Sequence, residues 1–437
     1  MRGLCTLEMP SATGRRPRIA FLVVGDTYHD TRVLKTAETA VQAGADVRIF
    51  GIGGAELRFP AGLETRPNGV EIERYEVRKF SVFRDFLTRR GARSGGTLAR
   101  LASWADQQIN RHTARADYYS WGVQPLLAAW GPDLIHAHDA NTLSAAGRAA
   151  KTLGVPFVYD SHELWTRRNR PTAALRVRLR ESLNERHWAR RAARVITVSP
   201  SIARWLKKHY RLRVAPELVR NIPPFNGTLP ARSAGRLREL AGLQHSDKVI
   251  VYCGGISANR GIENAIAATA ILPRDTHFVL LGYSHHAEFE ESLRQVVDRN
   301  HLKERVHFIG AVPSEDVSAT LADADVSLVL TRPTCLSYAY SLPNKLFESI
   351  HAGVPVVSTR LVDAAALIER YGVGETVSVD AAATELAARI EGVIARSDGF
   401  RAAAARAASE LTWANEADRL VGVWSRALGV APRLRVG

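Results

Sequence analysis

Residues 249–261 read VIVYCGGISANRG: an apolar run, a glycine pair, a polar loop, and Arg260-Gly261 at the head of a helical stretch. A short apolar run bounded by glycine is the pattern of a strand buried on both faces of a parallel sheet. Gly254 and Gly255 let the backbone turn sharply and approach a ligand closely. The helix that follows offers unpaired N–H groups to an anion. Arg260 adds a guanidinium fork suited to phosphate oxygens. The spacing is neither the Gly-x4-Gly-Lys-Ser/Thr of a P-loop nor the Gly-x-Gly-x-x-Gly of a dinucleotide loop. A steric need for glycine in a tight βα turn is the competing explanation.

Outward from this turn the same rhythm repeats. Strands are expected at 277–282, 306–310, 326–330 and 355–358, with helices at 261–272, 287–299, 314–322, 344–352 and 363–371. Upstream, strands are expected at 18–24, 46–50, 133–137, 157–160 and 194–198, with helices at 31–43 and 141–153. The stretch 221–235, NIPPFNGTLPARSAG, has the composition of a linker. The chain is therefore expected to be α/β: two Rossmann-like domains facing each other across a cleft, with ligands at the carboxyl ends of the strands. The expected boundaries are a flexible leader 1–17, a first domain 18–222 with a mostly helical insertion at about 75–130, a second domain 223–412, and a C-terminal helix 413–437. Trp413, Trp424 and Leu428 suit that last helix to packing back on the first domain.

Composition narrows the classes. With 437 residues, 46% apolar and 24% charged, the chain is long enough for two cores and too apolar for disorder. Three scattered cysteines exclude a disulfide scaffold or thiolate zinc finger. No apolar run has membrane-spanning length, and no signal-peptide pattern opens the chain, so a reduced, cytoplasmic protein is expected. The net charge of +15 is lopsided. Residues 1–220 hold 37 Lys/Arg against 20 Asp/Glu, and the remainder 22 against 24. Either the first half faces something anionic, or the Arg- and Ala-rich usage reflects a GC-rich genome. Within 78–90, Phe80, Phe83, Phe86 and Leu87 share a helical face ringed by Arg78, Lys79, Arg84, Arg89 and Arg90. That pattern suits either a membrane surface or packing on the chain's own sheet. Residues 167–213 carry fifteen basic side chains against Glu181 and Glu185, without a nucleic-acid recognition signature, so no nucleic-acid partner is expected.

Three further stretches carry candidate chemistry. In SLPNKLFESIHAGVPVV, 341–357, Pro343 and Asn344 can start a helix with Lys345 in its first turn and Glu348 one turn on. A cation at a helix N-terminus is electrostatically misplaced unless an anion binds there. Glu348 can accept from vicinal ribose hydroxyls, or Lys345 and Glu348 can form a solvated i,i+3 pair. IHAHDANT and YDSHEL put His138, Asp139, His162 and Glu163 at strand ends; sugar or phosphate contacts are favoured over a metal at His136, His138 and Asp139. GDTYHDTRV places Asp30 and Arg32 where the first βα loop enters its helix, Asp30 also being a fitting N-cap.

These motifs, over about residues 18–430, resemble those of the retaining, GT-B-fold glycosyltransferases of family 4, often called group 1 glycosyltransferases. The family's Gly-x5-Lys/Arg-Gly turn resembles Gly254 through Arg260-Gly261. Its helix-borne Glu before Gly-x-Pro-Val-Val resembles Glu348 with Gly353, Pro355, Val356 and Val357. The resemblance implies a nucleotide-diphosphate-sugar donor, of unassigned base, held by Gly254, Gly255, Arg260, Gly261, Asn344, Lys345, Leu346 and Glu348. Arg260 and Lys345 would meet the diphosphate and Glu348 the ribose. Loops starting at Gly282 and Tyr283, and at Gly310 and Ala311, would flank the base. His138 would face the transferred sugar, so the implied catalytic set is His138, Arg260, Lys345 and Glu348, with no metal and no further cofactor. The acceptor would lie on the first domain and be either a small molecule of specialised metabolism or a lipid-linked or cell-envelope glycan. The latter would draw on the basic surfaces for peripheral membrane contact. Two departures stand out. Tyr340 replaces the first Glu of the family's Glu-x7-Glu pair, and Gly255 replaces a frequent Arg. Tyr340 keeps open the alternative of a non-catalytic nucleotide-sugar-binding protein of the same fold.

Overall fold

The computed structural model describes residues 5–10, 14–25, 27–28, 30–55, 57–77, 101, 104, 115–169, 175–284 and 286–434. The expected 78–90 helix lies outside the described residues. Among them the strands are β1 (Leu7–Glu8), β2 (Arg18–Leu22), β3 (Asp46–Ile52), β4 (Gly62–Thr65), β5 (Glu71–Tyr75), β6 (Leu134–His138), β7 (Phe157–Ser161), β8 (Arg194–Thr197) and β9 (Glu217–Leu218). They continue as β10 (Lys248–Cys253), β11 (Thr276–Leu281), β12 (Val306–Ile309), β13 (Val326–Val329), β14 (Val356–Thr359), β15 (Gly374–Val377) and β16 (Arg433–Leu434).

Two sheets form the α/β fold. The first runs β4-β5-β3-β2-β6-β7-β8-β9, parallel except for the edge strand β4; the second runs β12-β11-β10-β13-β14-β15, all parallel. Both reverse direction beside their first strand, at β2/β6 and β10/β13, and such a switch point opens a crevice at the strand carboxyl ends. The strands alternate between two cores with period two. In β10, Ile250 and Tyr252 pack under one helical layer and Val249, Val251 and Cys253 under the other. In β2, Ala20 and Leu22 face one core, and Ile19 and Phe21 the other.

Two regions differ from the sequence expectation. The helix Arg115–Trp130, read as the end of an insertion, buries Tyr119, Val123 and Leu127 in the first core and is a crossover helix of that sheet. The β4–β5 hairpin escapes the apolar pattern because its outward residues are charged; Glu71 and Glu73 both hold Arg48, at 2.7 and 2.9 Å. The last helix, Trp413–Leu428, begins at an N-cap, Thr412, whose side chain accepts from the Asn415 N–H. It buries Trp413 and Trp424 against Ile19 and Phe21 of the first domain. Glu416 there holds Arg220 at 2.5 Å. A second bridge between the sheets is the Asp363 carboxylate, which accepts from Ser201 N and Oγ at 2.9 and 2.8 Å.

Candidate active site in the cleft

On the second domain three loops leave adjacent strand ends together. After β10, Gly254 takes φ +121°; after β11, Gly282 lies so close that a Cβ on it would come 2.1 Å from the Gly254 carbonyl oxygen. Gly261, at φ +70°, begins the helix Ile262–Ile271, and a Cβ there would meet Leu330 at 2.5 Å, across the β10/β13 switch point. Only glycine satisfies both the backbone angle and the spacing at Gly261 and Gly282, and at Gly254 the backbone angle alone favours it. Gly255, Gly310 and Ala311 are exposed at the rim, and Tyr283 is exposed beside them.

The helix Asn344–His351 aims its N-terminus at this turn. Pro343 sits at its N-cap with an extended ψ, so Asn344 and Lys345 occupy the first turn, while Leu346 and Phe347 anchor the helix in the core. The Lys345 ammonium lies 3.7 Å from the centre of the Tyr252 ring and within 3.5 Å of where a Gly254 Cβ would stand. Burial, and then the neighbouring Arg260 charge, bring the Lys345 pKa down to about 7. Arg260 stacks over Tyr338 at 5.2 Å. Among the described ion pairs, none joins Arg260 or Lys345 to a carboxylate. Glu348 is half-buried, and burial pushes its carboxyl up against the partial opposition of Lys345 and Lys35. The solvated Lys345–Glu348 pair that the spacing allowed is not formed.

The first domain contributes a buried polar cluster under the opposite wall. Arg32, 3% exposed, forks Asp160 through Nε and Nη2 at 2.9 and 2.8 Å. His162 lies 3.2 Å from Asp139 through Nδ1 and 3.2 Å from Asp160 through Nε2, with Nε2 also 3.1 Å from His138 Nδ1. Burial works against a charge on His162, but Asp139 and Asp160 outweigh it and lift its pKa to about 10. Asp160 is held well below the usual carboxylate range: burial opposes ionisation, and Arg32 followed by His162 overcome it. The Trp424 indole N–H donates to His136 Nδ1 at 2.9 Å, which leaves neutral His136 its proton on Nε2, 3.5 Å from Asp160. Burial drives the His136 pKa down to about 3 and that of His138 down as well.

His136, His138 and Asp160, rather than the Asp139 considered from sequence, bring three ligand-type atoms within 4.8 Å of one another. Yet the indole uses one His136 nitrogen and Arg32 takes both Asp160 oxygens, so a divalent ion would sit against a guanidinium and a charged imidazole. The cluster reads as a hydrogen-bonded network that stiffens the wall. His138, only 1% exposed, lies behind that wall with Nε2 unpartnered; His162 and Glu163 are the strand-end residues that line the cleft.

Between the domains lies a cavity of about 560 Å³, lined on one side by residues that include Val23, Asp30, Arg32, His162, Glu163 and Asn221, and on the other by Ser337, Tyr338, Ser341, Leu342 and Asn344. The short helix Leu336–Ala339 reaches across: Ser337 approaches Glu163 at 3.5 Å, and the Tyr340 carbonyl accepts from Ser199 at 2.7 Å, its ring packed on the first-domain core. Asp160, Lys35 and Tyr252 belong to the site's surroundings and were not singled out from sequence, and Trp424 was expected only to pack the last helix. Only Asp160 carried a local signal, in the YDSHEL strand end.

Comparison with known proteins follows the same outline. A model described as "Glycosyl transferase 4-like domain" matches residues 29–224, and one described as "Glycosyl transferases group 1" matches residues 247–396. A D-inositol 3-phosphate glycosyltransferase of Mycobacterium marinum is 25% identical over 325 residues, 71% of this chain and 68% of that protein. The sucrose-phosphate synthase of Thermosynechococcus elongatus superposes with a TM-score of 0.73 at 17% identity, covering 95% of this chain and 100% of that one. Anabaena HepE in complex with UDP superposes with a TM-score of 0.66 at 17% identity, covering 94% and 99%. The fold is GT-B, and with one domain model on each side of the cleft the chain belongs to the glycosyltransferases, a glycosyl transferase 4-like domain followed by a group 1 domain.

Proposed function

We propose that this glycosyltransferase is a retaining, metal-independent enzyme of family 4 that takes its sugar from a nucleotide-diphosphate donor seated on the second domain. One observation carries the reading: Arg260 and Lys345 converge on the Gly254 turn at a helix N-terminus, two cations with no carboxylate partner among the described residues. A diphosphate supplies the missing charge, and its binding restores the full protonation that burial withholds from Lys345. Glu348 holds the ribose, and the rims at Gly282-Tyr283 and Gly310-Ala311 flank the base. Structures of HepE with UDP and with UDP-glucose support a nucleotide-sugar donor. The family resemblance assigns His138 to the transferred sugar, but His138 lies behind the wall, and His162 and Glu163 are the first-domain side chains there that face the cleft.

In the proposed reaction the anomeric C–O bond to the β-phosphate breaks. The acceptor oxygen then bonds to the anomeric carbon from the same face, and its proton passes to the departing phosphate oxygen. Arg260, Lys345 and the helix N-terminus stabilise the leaving charge, which is why activity should persist in EDTA. Two measurements test the reading. Titration of UDP, GDP and dTDP should reveal one tight nucleotide, and Arg260→Ala should lose about 2–4 kcal/mol of donor and transition-state binding while keeping the fold. NMR of the new anomeric proton should show the donor's configuration. Equal nucleotide affinity in the variant refutes the phosphate site, and an inverted product refutes the mechanism.

A further inference from the structure

The cleft cavity has a charge pattern that selects among acceptors. At about 560 Å³ it falls in the range of small-molecule sites. Among the described residues two first-domain cations line it, and both are committed. Arg32 gives Nε and Nη2 to Asp160, and His162 sits between Asp139 and Asp160. Two carboxylates line the same wall. Asp30 caps the helix Thr31–Gln42 through a 3.1 Å bond to Val33 N, and Glu163 lies 3.2 Å from Arg168 and 3.5 Å from Ser337. Val23, Val198, Ile202 and Leu342 make up an apolar part of the lining.

Resting on the donor reading, which gives Arg260 and Lys345 to the diphosphate, we infer that the acceptor group entering this cavity is an uncharged polyol, a sugar or cyclitol, rather than a phosphorylated or carboxylated one. A phosphate monoester would carry its charge beside Asp30 and Glu163 without an uncommitted cation among the described wall residues, and burying an unpaired anion is costly. Hydroxyls both donate and accept. They can donate to the two carboxylates and accept from the serine hydroxyls of the opposite wall, Ser337 and Ser341. The C–H face of a pyranose or cyclohexane ring suits the apolar side chains.

The test uses the full chain saturated with whichever nucleoside diphosphate binds best. Binding of methyl hexopyranosides and myo-inositol is compared by calorimetry with that of hexose 6-phosphates and myo-inositol monophosphate. The uncharged ligands should bind at least tenfold more tightly. Glu163→Arg should shift the preference at least tenfold toward the phosphates while leaving nucleotide affinity unchanged, and that affinity also reports a folded variant. The near-isosteric Glu163→Gln should shift it the same way by less. Phosphates binding as well as or better than the neutral ligands, neither class binding, or Glu163 variants affecting both classes equally would each overturn the inference. In those cases nucleotide binding survives and the donor reading stands. Loss of all nucleotide binding in wild type overturns the donor reading and takes this inference with it.

Discussion

Lys345 and Glu348 stand three residues apart on one helix yet form no ion pair, and burial pushes each toward its neutral form. On the proposed donor reading, a bound nucleotide would supply both groups with their missing partners. If Glu348 holds the ribose, Glu348→Gln should weaken nucleoside-diphosphate binding about tenfold, since charged hydrogen bonds contribute roughly 1.5–3 kcal/mol. A 2′,3′-dideoxy nucleotide should bind wild type poorly and lose almost nothing more in the variant; simply additive losses would make Glu348 structural. A second residue-scale prediction concerns His162. Its folded pKa of about 10 exceeds an unfolded value of about 6.5. Its stabilisation is therefore complete below about pH 6.5 and is lost as pH climbs toward 10. The melting temperature of His162→Gln should fall well below wild type at pH 6, and the gap should narrow by pH 10; a constant gap argues that His162 is not charged in the fold. Arg260, Lys345 and Glu348 were legible in the sequence because each lies inside a local strand-turn-helix motif. The Arg32–Asp160 and His136–Trp424 partnerships were not, because they join residues 128 and 288 positions apart.

At the scale of elements, the site depends on loops that glycine alone can bring together. Gly282→Ala would push a methyl to within 2.1 Å of the Gly254 carbonyl and force the β10 and β11 loops apart. The variant should lose more than about 1 kcal/mol of stability in urea titrations, with a disproportionate loss of nucleotide affinity. Unchanged affinity would place the donor elsewhere. The apolar strands 18–24, 249–254 and 277–282 were readable because burial on both faces leaves a continuous hydrophobic run. The helix Leu175–Ala189 was not, since its first six residues, Leu175 through Arg180, are all exposed and alternate Leu or Val with Arg. The β4–β5 hairpin was hidden by its charged outer face. The helix Arg115–Trp130 fell inside the expected mostly helical stretch, but its place as a crossover helix packed on the first sheet was not legible.

For the whole molecule, the decisive device is a helix from the chain's end that completes the core of its beginning. Trp413 is 1% exposed, donates its indole N–H to Thr39 at 3.1 Å, and carries the Lys35 ammonium over its ring at 4.2 Å. Trp413→Ala should cost about 3–5 kcal/mol, as deletion of a large buried aromatic does. Denaturation followed by tryptophan fluorescence and by far-UV circular dichroism should show the loss. A variant as stable as wild type would mean that the helix rests on the first domain without supporting it. Among the described residues no helix is long and apolar enough to cross a membrane.

The sequence by itself determined the α/β class, the repetition of two sheets, the glycine turn with Arg260, and the helix that bears Lys345 and Glu348. All of these follow from periodicity and from glycine at local spacing, which a chain records within about a dozen residues. Tertiary structure decided what those pieces face. It paired Arg32 with Asp160, put His162 in front of His138, turned the Tyr340 ring into the first-domain core, and set committed cations along the cavity wall. These outcomes depend on contacts between residues remote in sequence, where packing and charge pairing in three dimensions select the partner and no local pattern does.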